Sequence, residues 1–145
     1  MKARVLFVCT HNSARSQMSE EYLRKLGGDR FEIESAGLEP GALNPYVIEI
    51  LAEDGIDITG KKTNDVFDFF KQERTYDYVI TVCGAETDAR CPIFPGNVVR
   101  RNWPFADPSS FSGTHDEIKA KTIEVRDQIV GKIKEFIEEY DARHR

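Results

Sequence analysis

The segment Cys9-Thr10-His11-Asn12-Ser13-Ala14-Arg15-Ser16 sets a thiol, then a guanidinium, then a hydroxyl in a C-x5-R-S pattern. Those residue types in that order can bind and attack a tetrahedral oxyanion. A tight loop that runs into a helix turns several backbone N–H groups toward one centre and forms an anion nest. The helix N-terminus adds partial positive charge, and Arg15 offers a planar fork that holds two oxygens at once. A thiol facing the same centre is expected to ionise at neutral pH, since thiol pKa values at such sites fall to roughly 3.5–7.5. We therefore expect Cys9 as nucleophile and Thr10, His11, Asn12, Ser13, Ala14, Arg15 and Ser16 as the oxyanion-binding loop, with Ser13 and Ser16 placed to hydrogen-bond the sulfur or the loop. The plainer reading makes Cys9 a small core residue at a strand end and Arg15 a surface charge. The apolar run before the loop, the helical pattern after it and Ser16 beside Arg15 favour the nest.

Two further places carry chemistry. Asp107, in Phe105-Ala106-Asp107-Pro108, is a carboxyl that can protonate an oxygen leaving the oxyanion; by itself, Asp-Pro also simply starts a turn. Cys83 and Cys91 are separated by Gly84-Ala85-Glu86-Thr87-Asp88-Ala89-Arg90, a spacing that suits neither a zinc ribbon nor a C-x-x-C redox motif. They are either two half-buried thiols or members of a thiol relay that the polar, glycine-containing segment lets move. His115 and His144 read as surface residues.

The elements that must position these groups alternate between strand and helix. Lys2–Val8 contains the continuous apolar run of a strand buried on both faces. Residues 16–26 carry Met18, Tyr22 and Leu26 on one helical face, with Gly27-Gly28 as the stop. Phe31–Ser35 alternates like a strand nearer an edge. Asn44-Pro45 reads as an N-cap followed by proline at the first helical position, ahead of Val47, Ile50 and Leu51. Thr63 or Asn64 is expected to cap a short helix carrying Val66, Phe67 and Phe70. Asp77–Val82 and Val98–Trp103 read as the third and fourth strands. Thr114 and Glu117 form a capping box for a last helix that buries Ile118, Thr122, Val125, Ile129, Ile133, Phe136 and Tyr140. This alternation predicts a single α/β domain over residues 1–145: a three-layer, four-stranded parallel sheet with helices on both faces. Ligands in such folds bind beyond the carboxyl ends of the strands. Cys9, Cys83 and the Asp107 loop each follow a strand, so all three arrive at that edge.

Composition bounds the partners. The chain has 145 residues, net charge −5 and three cysteines. The negative balance argues against nucleic acid and anionic membrane surfaces. The longest apolar run, Val5–Cys9, is far too short to span a bilayer. Three cysteines make no disulfide framework, which points to reduced thiols and a cytoplasmic protein.

The loop Val8-Cys9-Thr10-His11-Asn12-Ser13-Ala14-Arg15-Ser16-Gln17-Met18 resembles the phosphate-binding loop of the low-molecular-weight protein tyrosine phosphatase superfamily, in the version found in thioredoxin-coupled arsenate reductases. The resemblance continues through Glu34-Ser35-Ala36-Gly37, Val79-Ile80-Thr81-Val82-Cys83, Cys91-Pro92 and Trp103-Pro104-Phe105-Ala106-Asp107-Pro108. Tyrosine phosphatases of the superfamily usually carry a second cysteine inside the loop and an aromatic residue after Asp-Pro; here Ser13, Ala14 and Ser109 stand in those places. The resemblance implies reduction of arsenate to arsenite by Cys9, Cys83 and Cys91 in turn, with Arg15 and Asp107 assisting and thioredoxin as reductant. Seven residues lie between Cys83 and Cys91, one more than is usual in the resembled enzymes. It implies no cofactor, except that some such reductases hold a potassium ion behind the loop, and Asn12, Glu20, Ser35 and Asp65 match those ligands. Two other functions remain open at this stage. A phosphomonoesterase would not need the cysteine pair, and a non-enzymatic oxyanion-binding module would not need Asp107.

Overall fold

The computed structural model describes residues 2–144. Among them, four strands and five helices follow one another as β1 (Ala3–Cys9), α1 (Arg15–Gly27), β2 (Phe31–Gly37), α2 (Pro45–Glu53), α3 (Val66–Lys71), β3 (Tyr78–Thr81), α4 (Ala85–Arg90), β4 (Val99–Asn102) and α5 (His115–Arg143). The strands form one parallel sheet in the order β2-β1-β3-β4. The most apolar strand is central, as a strand covered on both faces must be. β2 and the charged Val99–Asn102 strand take the edges. Val5 lies between Ile33 and Tyr78, and Cys9 pairs with Gly37 at the carboxyl end of β1.

Alternation along the strands divides the core into two layers. Val5, Phe7, Cys9, Ile80 and Val82 face one side and pack with Met18 and Leu23 of α1, Val47 and Leu51 of α2, and Ile129, Ile133 and Phe136 of α5. Leu6, Val8 and Val79 face the other side, where Val66 and Phe69 of α3 meet Tyr76, Cys91 and Phe94. The expected three-layer architecture is therefore present. Asn44 caps α2, its side-chain oxygen accepting from the amides of Tyr46 and Val47, with Pro45 next. The Thr114–Glu117 capping box starts α5. No helix among the described residues is long and apolar enough to cross a membrane.

Three local expectations are corrected. The cap of α3 is Asp65, not Thr63 or Asn64, and it accepts from the Phe67 amide. That phase turns Val66 and Phe69 inward and leaves Phe67 and Phe70 largely exposed. Leu26 is likewise exposed because Leu23 fills the core position on α1. Ile118 and Tyr140 are only half-buried. The Cys83–Cys91 connection contains α4.

Ile133 is fully buried between the sheet and α1. We expect Ile133→Ala to cost roughly 2–5 kcal/mol through lost contacts and the cavity left behind. The half-buried Ile137 should cost much less on the same truncation, and thermal melts of the two variants check the difference.

Candidate active site

The geometry of the loop follows from where its backbone groups are satisfied. Each carbonyl from Cys9 to Ala14 is engaged on the outer side. Cys9 O accepts from the Leu38 amide at 3.1 Å, Thr10 O from Glu39 at 2.8 Å, His11 O from Gly41 at 3.0 Å, and Ser13 O from Asn44 at 2.9 Å. Asn12 O accepts from the Gln17 side chain at 2.9 Å, and Ala14 O from the Met18 amide at 2.9 Å. With the carbonyls held outward, the loop amides are left for whatever sits at the centre. The Asn12 amide already donates to Cys9 Sγ at 3.0 Å.

Asn12 is the junction of this arrangement. It adopts φ 55°, a left-handed conformation that asparagine tolerates better than most side chains. Its side chain is fully buried and donates to Ser16 Oγ at 2.8 Å and to Ser35 Oγ at 2.9 Å, while its Oδ1 accepts from the Asn64 amide at 2.9 Å. Ser16 Oγ, already accepting from Asn12, directs its own proton to Cys9 Sγ, 2.8 Å away. Burial alone would raise the Cys9 pKa. The neighbouring Cys83, the side chain and amide of Ser16 and the charge of Arg15 outweigh it and bring the thiol down to about 6.

Arg15 is buried beside the sulfur, its Nη1 donating to Phe105 O at 3.0 Å and its Nη2 lying 3.6 Å from Asp107 Oδ2. Asp107 caps a 3-10 turn, Pro108–Ser110, by accepting from the Ser109 amide at 2.9 Å. The expected acid thus stands at the rim of the nest, on the fork that would hold the oxyanion. Cys83, just past the neighbouring strand β3, is buried in the same core layer as Cys9. The Cys9 thiolate and burial push its own thiol well up. Thr10 Oγ1 meets Thr87 Oγ1 of α4 at 3.1 Å, and His11 Nδ1 lies 2.8 Å from Glu39 O, outside the nest. Cys91 is not with the other two. It lies in the opposite core layer, where burial, aided by Asp88 and opposed by Arg100, pushes its thiol up to about 11.

The four residues matched to a cation behind the loop converge only in part. Ser35 donates to Glu20 Oε1 at 2.5 Å and Asp65 bridges to Gly37, beside the Asn12–Ser35 pair. The Glu20 carboxylate, however, is met by Lys61 Nζ at 2.9 Å and Arg24 Nη2 at 2.6 Å. Asp65 spends Oδ1 on its helix cap. The charge that a potassium ion would balance is already balanced by the chain's own ammonium and guanidinium groups, so these donors do not fit a resident cation.

Three contributors carried no local signal of their role. A Cβ at Gly37 would lie 2.8 Å from the Asn12 amide nitrogen and 2.9 Å from Thr10 O, so only glycine lets the loop cross the end of β2. The Lys61–Glu20 pair joins residues 41 positions apart. Thr87 becomes visible only once α4 is seen against the loop.

A parallel α/β sheet whose first strand ends in a C-x5-R anion nest, with a carboxylate at its rim, defines a phosphatase-like domain. The chain belongs to the low molecular weight phosphotyrosine protein phosphatase family, whose model matches residues 4–144. It is similar to the arsenate reductase of Bacillus licheniformis, with 42% identity over 94% of this chain and 96% of that protein. Among solved structures it resembles an arsenate reductase from Archaeoglobus fulgidus, at TM-score 0.71 and 25% identity over 92% of this chain and 98% of that one. It also resembles a Corynebacterium glutamicum thioredoxin-dependent arsenate reductase, at TM-score 0.76 and 28% identity, covering 98% of this chain and 63% of that one.

Cys83 and Cys91 stay protonated near neutrality, so alkylation between about pH 5 and 8 should report Cys9 alone. We expect its rate to rise with pH through a midpoint of about 6. Ser16→Ala should move that midpoint up by about one pH unit, the loss of one hydrogen bond to a charged group. Gly37→Ala should abolish phosphate binding by isothermal titration, because the intruding Cβ meets backbone.

Proposed function

We propose that the protein reduces arsenate to arsenite. The observation that carries this reading is a second buried thiol, Cys83, in the core layer of Cys9 and just past the strand that pairs with β1, at the mouth of an oxyanion nest. A hydrolase needs one nucleophile; a second thiol poised on the first is what a two-electron reduction needs. The similarity to proteins named arsenate reductase along nearly the whole chain supports the same reading.

The loop amides and Arg15 hold the arsenate oxygens, and Cys9 thiolate attacks arsenic. Asp107 protonates the departing oxygen, which leaves as water. Cys83, losing its proton, then attacks Cys9 sulfur. The sulfur–arsenic bond breaks with its electron pair passing to arsenic, which departs as arsenite, and a Cys9–Cys83 disulfide remains. Cys91 next attacks Cys83, restores the Cys9 thiolate and leaves a Cys83–Cys91 disulfide for an external dithiol to reduce. Thioredoxin is the reductant we assign, on the likeness to the Corynebacterium enzyme. The same nest would accept phosphate, so a residual phosphomonoesterase activity is part of the proposal. No potassium ion enters any of these steps.

The test is arsenate-dependent NADPH oxidation with thioredoxin and its reductase, run beside hydrolysis of p-nitrophenyl phosphate. Strong hydrolysis without NADPH loss would make the protein a phosphatase. We expect Cys9→Ser to abolish both reactions and Arg15→Lys to lose most of both, because an ammonium cannot reproduce the fork. Cys83→Ser should stop arsenite release and spare ester hydrolysis. Cys91→Ser should allow one turnover and trap a Cys9–Cys83 disulfide, visible by peptide mapping. Arsenite formed with Cys9 and Cys83 both still free would show the order of the relay to be wrong.

A further inference from the structure

The two outer cysteines lie in different core layers, and the segment joining them is pinned at its far end. Arg100, on β4, donates from Nη2 to Asp88 O at 2.5 Å. The same guanidinium reaches Cys91 O and Pro92 O, each at 3.5 Å, and stands 3.5 Å from the Asp88 carboxylate. These carbonyls belong to the last turn of α4 and the residues just beyond it, the groups a helix end leaves without partners. Thr81 Oγ1, at the end of β3, donates to Asp88 Oδ1 at 2.7 Å. Asn102 Nδ2 donates to Thr81 Oγ1 and to Cys83 O, each at 2.8 Å, so the pins on α4 connect with the backbone of Cys83 itself. A six-residue helix does not persist on its own hydrogen bonds. It is folded because these side chains hold it.

We propose that Arg100 is a positioning residue for the second thiol exchange: it clasps the end of α4, keeps Cys91 in the far layer of the reduced protein, and by letting go sets the rate at which Cys91 reaches Cys83. This rests on the relay reading above. In the step concerned, the Cys91 proton passes to solvent, its sulfur bonds to Cys83, the Cys9–Cys83 bond breaks, and Cys9 leaves as thiolate. The two electrons already given to arsenic are not involved. With the clasp closed, burial holds the Cys91 thiol near 11 and almost none of it is ionised at neutral pH. Opening brings water to the sulfur as well as bringing it within reach of Cys83.

The experiment uses Arg100→Gln and Arg100→Lys in the full chain. The Arg100 side chain is 31% exposed and belongs to neither core layer, so both variants are expected to melt close to the unaltered protein. In the reduced proteins, alkylation by iodoacetamide is mapped residue by residue. We expect Cys91 to react roughly tenfold faster in Arg100→Gln, the scale of one lost charge-assisted hydrogen bond on local opening, with Cys9 unchanged. Arg100→Lys, which keeps the charge but not the fork, should fall between. In quenched single turnovers with arsenate, formation of Cys9–Cys83 should keep its rate while transfer to Cys83–Cys91 accelerates. Cys91 alkylation within about twofold of the unaltered protein, or faster alkylation without faster transfer, would overturn the clasp while leaving the relay standing. Arsenate that produces no Cys9–Cys83 disulfide in the unaltered protein would overturn the relay, and the clasp's part in it.

Discussion

A negative charge on a sulfur that is 2% exposed is the constraint on which the rest of this site depends. Water cannot solvate it, so the chain must, and every donor has to arrive from a backbone turned the right way. That is why the loop carbonyls from Cys9 to Ala14 all find partners on the outside, and why Asn12 sits in a left-handed conformation. The side chain of Asn12 then donates to both Ser16 and Ser35, and each hydroxyl turns its own proton to an anion that can only accept. Ser16 must donate to Cys9, and Ser35 to Glu20. The network ends at Lys61 and Arg24, which keep the partly buried Glu20 ionised, holding its pKa below the ordinary carboxylate range against the opposing effect of burial.

The same logic separates the three cysteines by environment. Cys9 is surrounded by donors and falls; Cys83 lies beside the resulting charge and rises; Cys91, in an apolar layer, rises through burial. A thiol beside a thiolate stays protonated. In the proposed relay, loss of negative charge from Cys9 sulfur on bonding to an oxyanion centre would remove the largest cause of the raised Cys83 pKa and leave burial as the other.

Much of this was legible in the sequence, for identifiable reasons. The nest is a local motif, and its seven-residue span carries nearly all the groups that touch the sulfur. The convergence of Cys9, Cys83 and Asp107 follows from strand–helix alternation, because a parallel sheet brings every strand's carboxyl end to one edge. What could not be read depended on pairs distant in sequence or on single-residue phase. Lys61 meeting Glu20 looks like any lysine before another lysine. Asp65 rather than Thr63 or Asn64 caps α3, and that shift exchanges Phe69 for Phe67 and Phe70 in the core. The helix α4 is too short to show a period, and the side chains that hold it come from β3 and β4.

The sheet also dictates what the proposed relay would require mechanically. Cys9 and Cys83 follow adjacent strands, so a bond between them needs only local adjustment, with Cα atoms brought within about 7 Å. Cys91 faces the other layer, and no side-chain rotation carries its sulfur around the end of β3. The backbone between has to lengthen and move. Six residues of helix advance about 9 Å, whereas the same residues extended reach about 20 Å. Unwinding α4 therefore releases roughly 11 Å of slack, more than the thickness of one packed layer, and the additional residue between the two cysteines adds to it. A helix in that position is a folded store of chain length, on which the proposed second exchange would draw.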